Sequence, residues 1–241
     1  MAGLTMQPIK EFLSSFNISF TNEQGIAFEK HMRFLQEANK HINLTSITKD
    51  EEIIEKHFID SLSILKIVGM ELLAGEKKMV DIGAGAGFPG IPIKLIFPNV
   101  QLTLVDSVQK KVRFLEGLCR ELSLSNTTCV AGRAETLGQD ARFREQFDIA
   151  VARAVSKISV LAEYLLPFTC VGGSVVIYKG GEPEDELQQS KKAIALLGGS
   201  LEKVEKFSIG ANSRSLILIK KTKATPDEFP RKDGVPDKKP L

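Results

Sequence analysis

At 241 residues and 43% apolar composition, the chain is long enough for one α/β domain with an accessory segment and a substantial core. A formal net charge of +2 excludes a globally polycationic nucleic-acid binder, though not a local basic patch. Three scattered cysteines, Cys119, Cys129 and Cys170, show no C-x-x-C spacing, which argues against both a disulfide framework and a zinc site and makes a reducing cytoplasm the expected location. No apolar run approaches the roughly 20 residues that span a bilayer, and the first ten residues lack the basic start and apolar run of a signal peptide.

Residues 1–72 read as a helical cap. Phe12, Leu13, Phe16 and Phe20 form one short apolar face. Thr21-Asn22-Glu23 can cap a second helix carrying Ile26, Phe28, Met32, Phe34 and Leu35. Residues 41–46 make a polar connector. Thr48-Lys49-Asp50-Glu51 fits a capping box ahead of a helix with Ile54, Phe58, Leu62 and Leu65 at helical spacing.

Residues 73–221 change to alternating strands and helices. Strand-like runs cover 79–82, 102–105, 127–130, 147–151 and 174–178. Helix-like stretches cover 91–97, 108–122, 156–166 and 184–197. This alternation predicts a mostly parallel sheet with helices on both faces. Runs 201–209 and 215–220, joined by Gly210-Ala211-Asn212, read as a hairpin that adds an antiparallel strand at one edge, making seven strands. Residues 222–241 hold four of the ten prolines and few apolar residues, so this basic, proline-rich tail is either a solvated extension or an ordered arm.

The candidate chemistry centres on Asp81-Ile82-Gly83-Ala84-Gly85-Ala86-Gly87-Phe88-Pro89-Gly90, an apolar strand running into a glycine-rich turn and a helix start. Glycines at 83, 85 and 87 let backbone approach a ligand closely, and the helix start offers free N–H groups. Gly85 to Gly90 also satisfies G-x-G-x-x-G, which alone suits a dinucleotide equally well. Three features argue against that: Asp81 would repel a pyrophosphate but suits an ammonium group, Phe88-Pro89 is a bulky start for a phosphate helix, and the sheet ends in a hairpin. Asp106, about 20 residues on, is placed either to bond ribose hydroxyls or to cap the helix from 108. Arg133, Ala134 and Glu135 follow the third strand and either line the crevice or form a solvated loop. Arg153 ends the fourth strand, where a guanidinium can hold phosphate or carboxylate. Lys179 ends the fifth, either facing the crevice or snorkelling at its edge. His31, His41 and His57 lie far from any cysteine and read as structural or substrate-facing, not as metal ligands.

The decad 81–90, with Asn43-Leu44-Thr45, Lys56-His57-Phe58-Ile59-Asp60-Ser61-Leu62, Ala152-Arg153-Ala154 and Phe229-Pro230-Arg231-Lys232 through Lys238-Lys239-Pro240-Leu241, resembles the glucose-inhibited division protein B family (GidB/RsmG) over about residues 34–241. The resemblance implies a class I methyltransferase fold (a Rossmann-like, mostly parallel seven-stranded sheet under an N-terminal helical cap). It also implies S-adenosyl-L-methionine as donor and 7-methylguanosine in small-subunit (16S) ribosomal RNA as product. Carried over, cofactor contacts fall on Gly83, Phe88, Ala134, Glu135 and Arg153, beside Gly85, Gly87 and Asp106 from the motif itself. Arg133, Arg153 and Lys179 are the candidates for the RNA side. Guanine N7 attacks through a lone pair and loses no proton, so no general base is expected. The expected partner is ribosomal RNA or the small subunit, without membrane or metal; the oligomeric state is open, with a monomer as default. The alternatives are an NAD-dependent oxidoreductase and a non-catalytic ribosome-binding module.

Overall fold

A computed structural model describes residues 6–153 and 156–241. The first helix, α1 (Gln7–Ser14), buries Ile9 and Leu13. In α2 (Asn22–Asn39), Thr21 and Gln24 complete a capping box: Gln24 N donates to Thr21 Oγ1 at 3.2 Å and Thr21 N donates to Gln24 Oε1 at 2.9 Å. The expected box at Thr48 does not form. Lys49 is the last extended residue before α3 (Asp50–Ile53) and no side chain caps it, so Thr48 stands one position too early. The chain then widens into a π-helical stretch, Ile54–Ile59, before α4 (Asp60–Leu62), a 3-10 turn Ser63–Lys66 and α5 (Met70–Leu73).

The sheet contains β1 (Lys78–Ile82), β2 (Gln101–Asp106), β3 (Thr127–Ala131), β4 (Phe147–Arg153), β5 (Thr169–Gly180), β6 (Gly199–Ile209) and β7 (Asn212–Lys221), in the order β3-β2-β1-β4-β5-β7-β6. Strands β1 to β5 pair in parallel. Both pairings of β7 are antiparallel, so β7 is inserted between β5 and β6 and the hairpin leaves β6 outermost. A dinucleotide fold would need a second mononucleotide-binding half where this hairpin stands. The connecting helices are α6 (Gly90–Ile96), α7 (Gln109–Glu121), α8 (Ala134–Leu137), α9 (Ile158–Leu165) and α10 (Glu184–Leu196), and a last turn, α11 (Val235–Lys238), lies in the tail.

Strand alternation divides the core in two. Met79, Leu104, Val151, Val176 and Leu216 face α6, α7 and the helical cap. Val80, Val105, Ala150, Ala152, Ile177 and Ile217 face the opposite layer, with α9, α10 and Phe229 of the tail. The same parity sends Asp81, Arg153, Tyr178 and Arg214 to the cap's side of the sheet. Tyr178 fastens the two layers there, donating from its hydroxyl to Ser61 O at 2.7 Å.

Candidate functional site

The chain leaves β1 and turns through Gly83, Gly85 and Gly87, all at positive φ. Gly83 N and Ala84 N both donate to Val105 O, at 2.9 and 3.0 Å, tying the turn to β2. At Gly83, with φ of 76°, a Cβ would meet nothing within 4 Å, so this backbone faces open space. Gly90 is the opposite case. Its Cβ would stand 2.9 Å from both Asp81 Oδ2 and Leu104 Cδ2, so only glycine lets α6 start against the sheet. Gly90 N donates to Asp81 Oδ2 at 2.8 Å. Asp81 is fully buried, its Oδ1 has no partner among the described residues, and burial pushes its carboxyl up to about 7.

Both oxygens of Asp106 take backbone donors: Gly85 N to Oδ2 at 3.0 Å and Val108 N to Oδ1 at 2.8 Å. The carboxylate therefore locks the glycine turn to the start of α7 and stands at the end of β2, 5% exposed. Glu135 turns to the tail, its Oε1 accepting from Gly234 N at 2.7 Å. Ala134 is buried beside it, and Arg133 is exposed with Nε 3.7 Å from Asp233 Oδ2.

Arg153 is held by the cap. Nη1 donates to Asp60 Oδ2 at 3.0 Å and to Lys56 O at 3.1 Å, and Nη2 lies 3.2 Å from His57 Nδ1. A guanidinium only donates, so His57 Nδ1 accepts and its Nε2–H points to Thr45 Oγ1 at 2.9 Å. Burial first, then the Arg153 charge, holds His57 down at about 3. The guanidinium carbon sits 4.9 Å from the Phe88 ring centre. His31 and His57 both stack on Phe88, with centroids at 4.9 and 4.5 Å. His31 donates through Nε2 to Ala86 O at 3.2 Å, and burial lowers it to about 4. Two neutral imidazoles and one guanidinium thus clasp the only large side chain of the glycine turn.

Beside this clasp opens a cavity of about 510 Å³, bounded by Lys56, Asp60, Arg153, Lys179 and Arg214 over the ends of β5 and β7. Arg214 Nε donates to Asp60 Oδ1 at 3.2 Å. Lys179 Nζ donates to Ser156 O at 2.8 Å and pairs with Glu186 at 3.0 Å.

The structure gathers Gly83, Gly85, Gly87, Phe88, Asp106 and Arg153 at one turn and sets Lys179 across the neighbouring cavity. It keeps Ala134, Glu135 and Arg133 together but directs Glu135 and Arg133 at the tail. Ala154, part of the motif after β4, lies outside the described residues. Asp60 stands inside the motif 56–62 with no role assigned by the sequence, and Arg214 belongs to no motif; the pairings that join them to the site are set by the fold, Arg153 with Asp60 and Arg214 with Asp60. Among the described residues there is no group of three or more His, Cys, Asp or Glu side chains able to hold a metal, and no helix long and apolar enough to cross a membrane.

Residues 24–217 match the family model GidB, described as rRNA small subunit methyltransferase G. The chain is 43% identical over 240 residues to ribosomal RNA small subunit methyltransferase G of Brevibacillus brevis, covering 99% of this chain and 100% of that one. It is 44% identical over 233 residues to the protein of the same name from Acetivibrio thermocellus, covering 96% and 94%. Among solved structures, the pre-rRNA processing protein fibrillarin of Methanococcus jannaschii superposes with a TM-score of 0.54 at 17% identity, over 67% of this chain and 74% of that one. TrmN from Thermus thermophilus gives 0.50 at 14% identity, over 68% and 48%. The latter two likenesses concern the fold alone, which is that of class I S-adenosylmethionine-dependent methyltransferases. With its sheet order, its glycine turn and its match across the family's length, the chain belongs to the GidB family of rRNA small subunit methyltransferases G.

Proposed function

We propose that this protein transfers a methyl group from S-adenosylmethionine to N7 of a guanine in small-subunit ribosomal RNA. The observation that carries this reading is the position of Arg153, which touches Phe88 of the glycine turn on one side and lines the cation-rimmed cavity on the other.

The residues at the turn suit the methyl donor. Gly83 presents backbone to open space, where a side chain would intrude. The Asp106 carboxylate stands at the end of β2 and that of Glu135 just after β3, at the carboxyl edge of the sheet where this fold binds its ligand. Gly83, Gly85, Gly87 and Phe88 would hold the amino-acid end, Asp106 the ribose, Ala134 and Glu135 the adenine side, and Arg153 the carboxylate. When bound, the donor supplies an electrophilic methyl group.

The cavity's own residues do the rest by positioning. Lys56, Lys179 and Arg214 offer donors for RNA phosphate, with Arg133 as an outlying contact. Guanine N7 has an in-plane lone pair on its Hoogsteen edge, which an A-form duplex buries in a deep, narrow major groove, so the RNA must present an unpaired or opened segment. No residue has to remove a proton. The nearest imidazoles agree, since His31 and His57 are neutral and each has its N–H committed to a protein acceptor. Asp60 keeps Arg153 and Arg214 aligned, leaving catalysis to proximity and to a preorganised field.

Calorimetric binding discriminates between cofactors. S-adenosylhomocysteine is expected to bind the full chain while NADH does not; binding of NADH alone would refute the assignment of the turn.

A further inference from the structure

Residues 222–241 run up the side of the sheet opposite the cap. They start at the amino ends of the strands, where Thr225 N donates to Glu145 Oε1 at 2.8 Å. The Arg144 guanidinium gathers the carbonyls of Thr225, Pro226 and Phe229 at 2.8, 3.1 and 2.7 Å, and Phe229 inserts into the core layer of α9. Arg231 then forms a forked pair with Glu163 of α9. Nε donates to Oε1 at 2.9 Å, Nη2 donates to Oε2 at 2.6 Å, and the Arg231 backbone N–H reaches Oε1 at 2.8 Å. Glu163 is wholly buried, so Arg231 is the partner that makes its charge tolerable there.

Beyond this lock the chain reaches the carboxyl ends of the strands and touches two crevice loops. On the loop after β3, Gly234 N donates to Glu135 Oε1 at 2.7 Å and Thr136 Oγ1 donates to Asp233 Oδ1 at 2.9 Å. On the loop after β4, Asp237 accepts from Ser156 Oγ at 3.4 Å and from Tyr164 of α9 at 3.0 Å. The Tyr164 hydroxyl also lies 3.4 Å from Glu135 Oε1. Glu135 is only 4% exposed, and every bond just named to its carboxylate comes from the tail or from α9 beneath it.

We propose that the tail is a positioning strap for the donor side of the active site: Arg231 and Glu163 fasten it, and Gly234 with Tyr164 fix Glu135 and its loop in the geometry that receives the adenosyl group. This rests on the function proposed above. Glu135 then acts on the ligand only as well as the strap holds it. Arg231, Glu163 and Tyr164 are positioning residues, since each is argued to act on the ligand only through Glu135 and its loop.

The test is calorimetric titration of full-length protein with S-adenosylhomocysteine, paired with steady-state kinetics on small ribosomal particles. Tyr164→Phe removes one hydroxyl and no packing volume, and it should weaken binding roughly 3-fold to 10-fold. Arg231→Ala should weaken it about 10-fold or more, with Arg231→Lys between, because a lysine restores charge but not the fork. In all three, KM for the methyl donor should rise while KM for the particle and kcat at saturating donor hold. Where Arg231→Ala fails to give a cooperative thermal transition, Tyr164→Phe decides. Wild-type affinity in Tyr164→Phe and Arg231→Lys would overturn the strap alone, as would losses confined to the particle KM. Failure of the unaltered protein to bind S-adenosylhomocysteine would instead remove the functional reading on which the strap rests.

Discussion

Arg153 at the end of β4 and Asp60 in the cap meet at 3.0 Å, joining two parts of the chain 93 residues apart. The carboxylate is 5% exposed and its other oxygen takes Arg214 from β7. One buried anion therefore fixes two cations at the rim of the cavity and keeps the cap seated on the sheet. Removing it leaves two half-buried guanidiniums facing each other.

Asp60→Ala should accordingly cost about 3 kcal/mol, in the range for breaking a buried pair from one side. For a chain of this length that is roughly 6–12 °C in Tm. Differential scanning calorimetry checks it, and a shift below about 2 °C would mean that the two arginines find water or other partners at little cost.

Gly83→Ala separates stability from ligand binding. The left-handed backbone costs about 1–2 kcal/mol for a residue with a Cβ, or a few degrees in Tm. The added methyl enters the open space before the turn, so affinity for S-adenosylhomocysteine should fall about tenfold or more. Unchanged affinity would place the ligand elsewhere.

The turn also makes a pH prediction with two opposed signs. His31 and His57 lie at about 4 and about 3 in the fold, against an ordinary 6.5. The unfolded chain binds more protons, so their contribution is full above pH 6.5 and drains away as pH falls toward 4. Asp81, raised from 3.8 to about 7, holds an extra proton in the folded state. Its contribution is full below about pH 4 and lost as pH rises through 7. Asp81→Asn keeps an acceptor for Gly90 N and removes only the second effect. The Tm of Asp81→Asn minus that of the unaltered protein should therefore grow from pH 5 to pH 8. A constant difference would show that Asp81 does not titrate in this window.

Lys179→Ala and Arg133→Ala address the RNA side. Each should weaken particle binding and reduce the slope of log affinity against log salt by about one, and Lys179→Ala should leave S-adenosylhomocysteine affinity as it was. An unaltered salt slope would remove that residue from the phosphate contacts.

The sequence made the sheet legible because its signals are local: apolar runs alternate with helical periods from Met79 to Leu197, and Gly210-Ala211-Asn212 marks the hairpin. The glycine turn was legible for the same reason. Arg153 stands at a strand end as the sequence predicts, but its pairing with Asp60 of the motif 56–62 is not legible there, since nothing local says that a helix of the cap will lie over that face. Glu135 illustrates the same limit, because its partner Gly234 is 99 positions away. Thr48 failed for a smaller reason, a helix starting one residue later than the box requires. The tail could be read two ways because its composition is poor in core residues; Phe229 and the Arg231–Glu163 fork decide its path.

The central claim is tested most directly by incubating the protein with methyl-labelled S-adenosylmethionine and small ribosomal particles from cells lacking it, then resolving the RNA nucleosides. Label in 7-methylguanosine is the predicted result. Label in another nucleoside, or none while S-adenosylhomocysteine still binds, would contradict the assignment of guanine N7 as the acceptor.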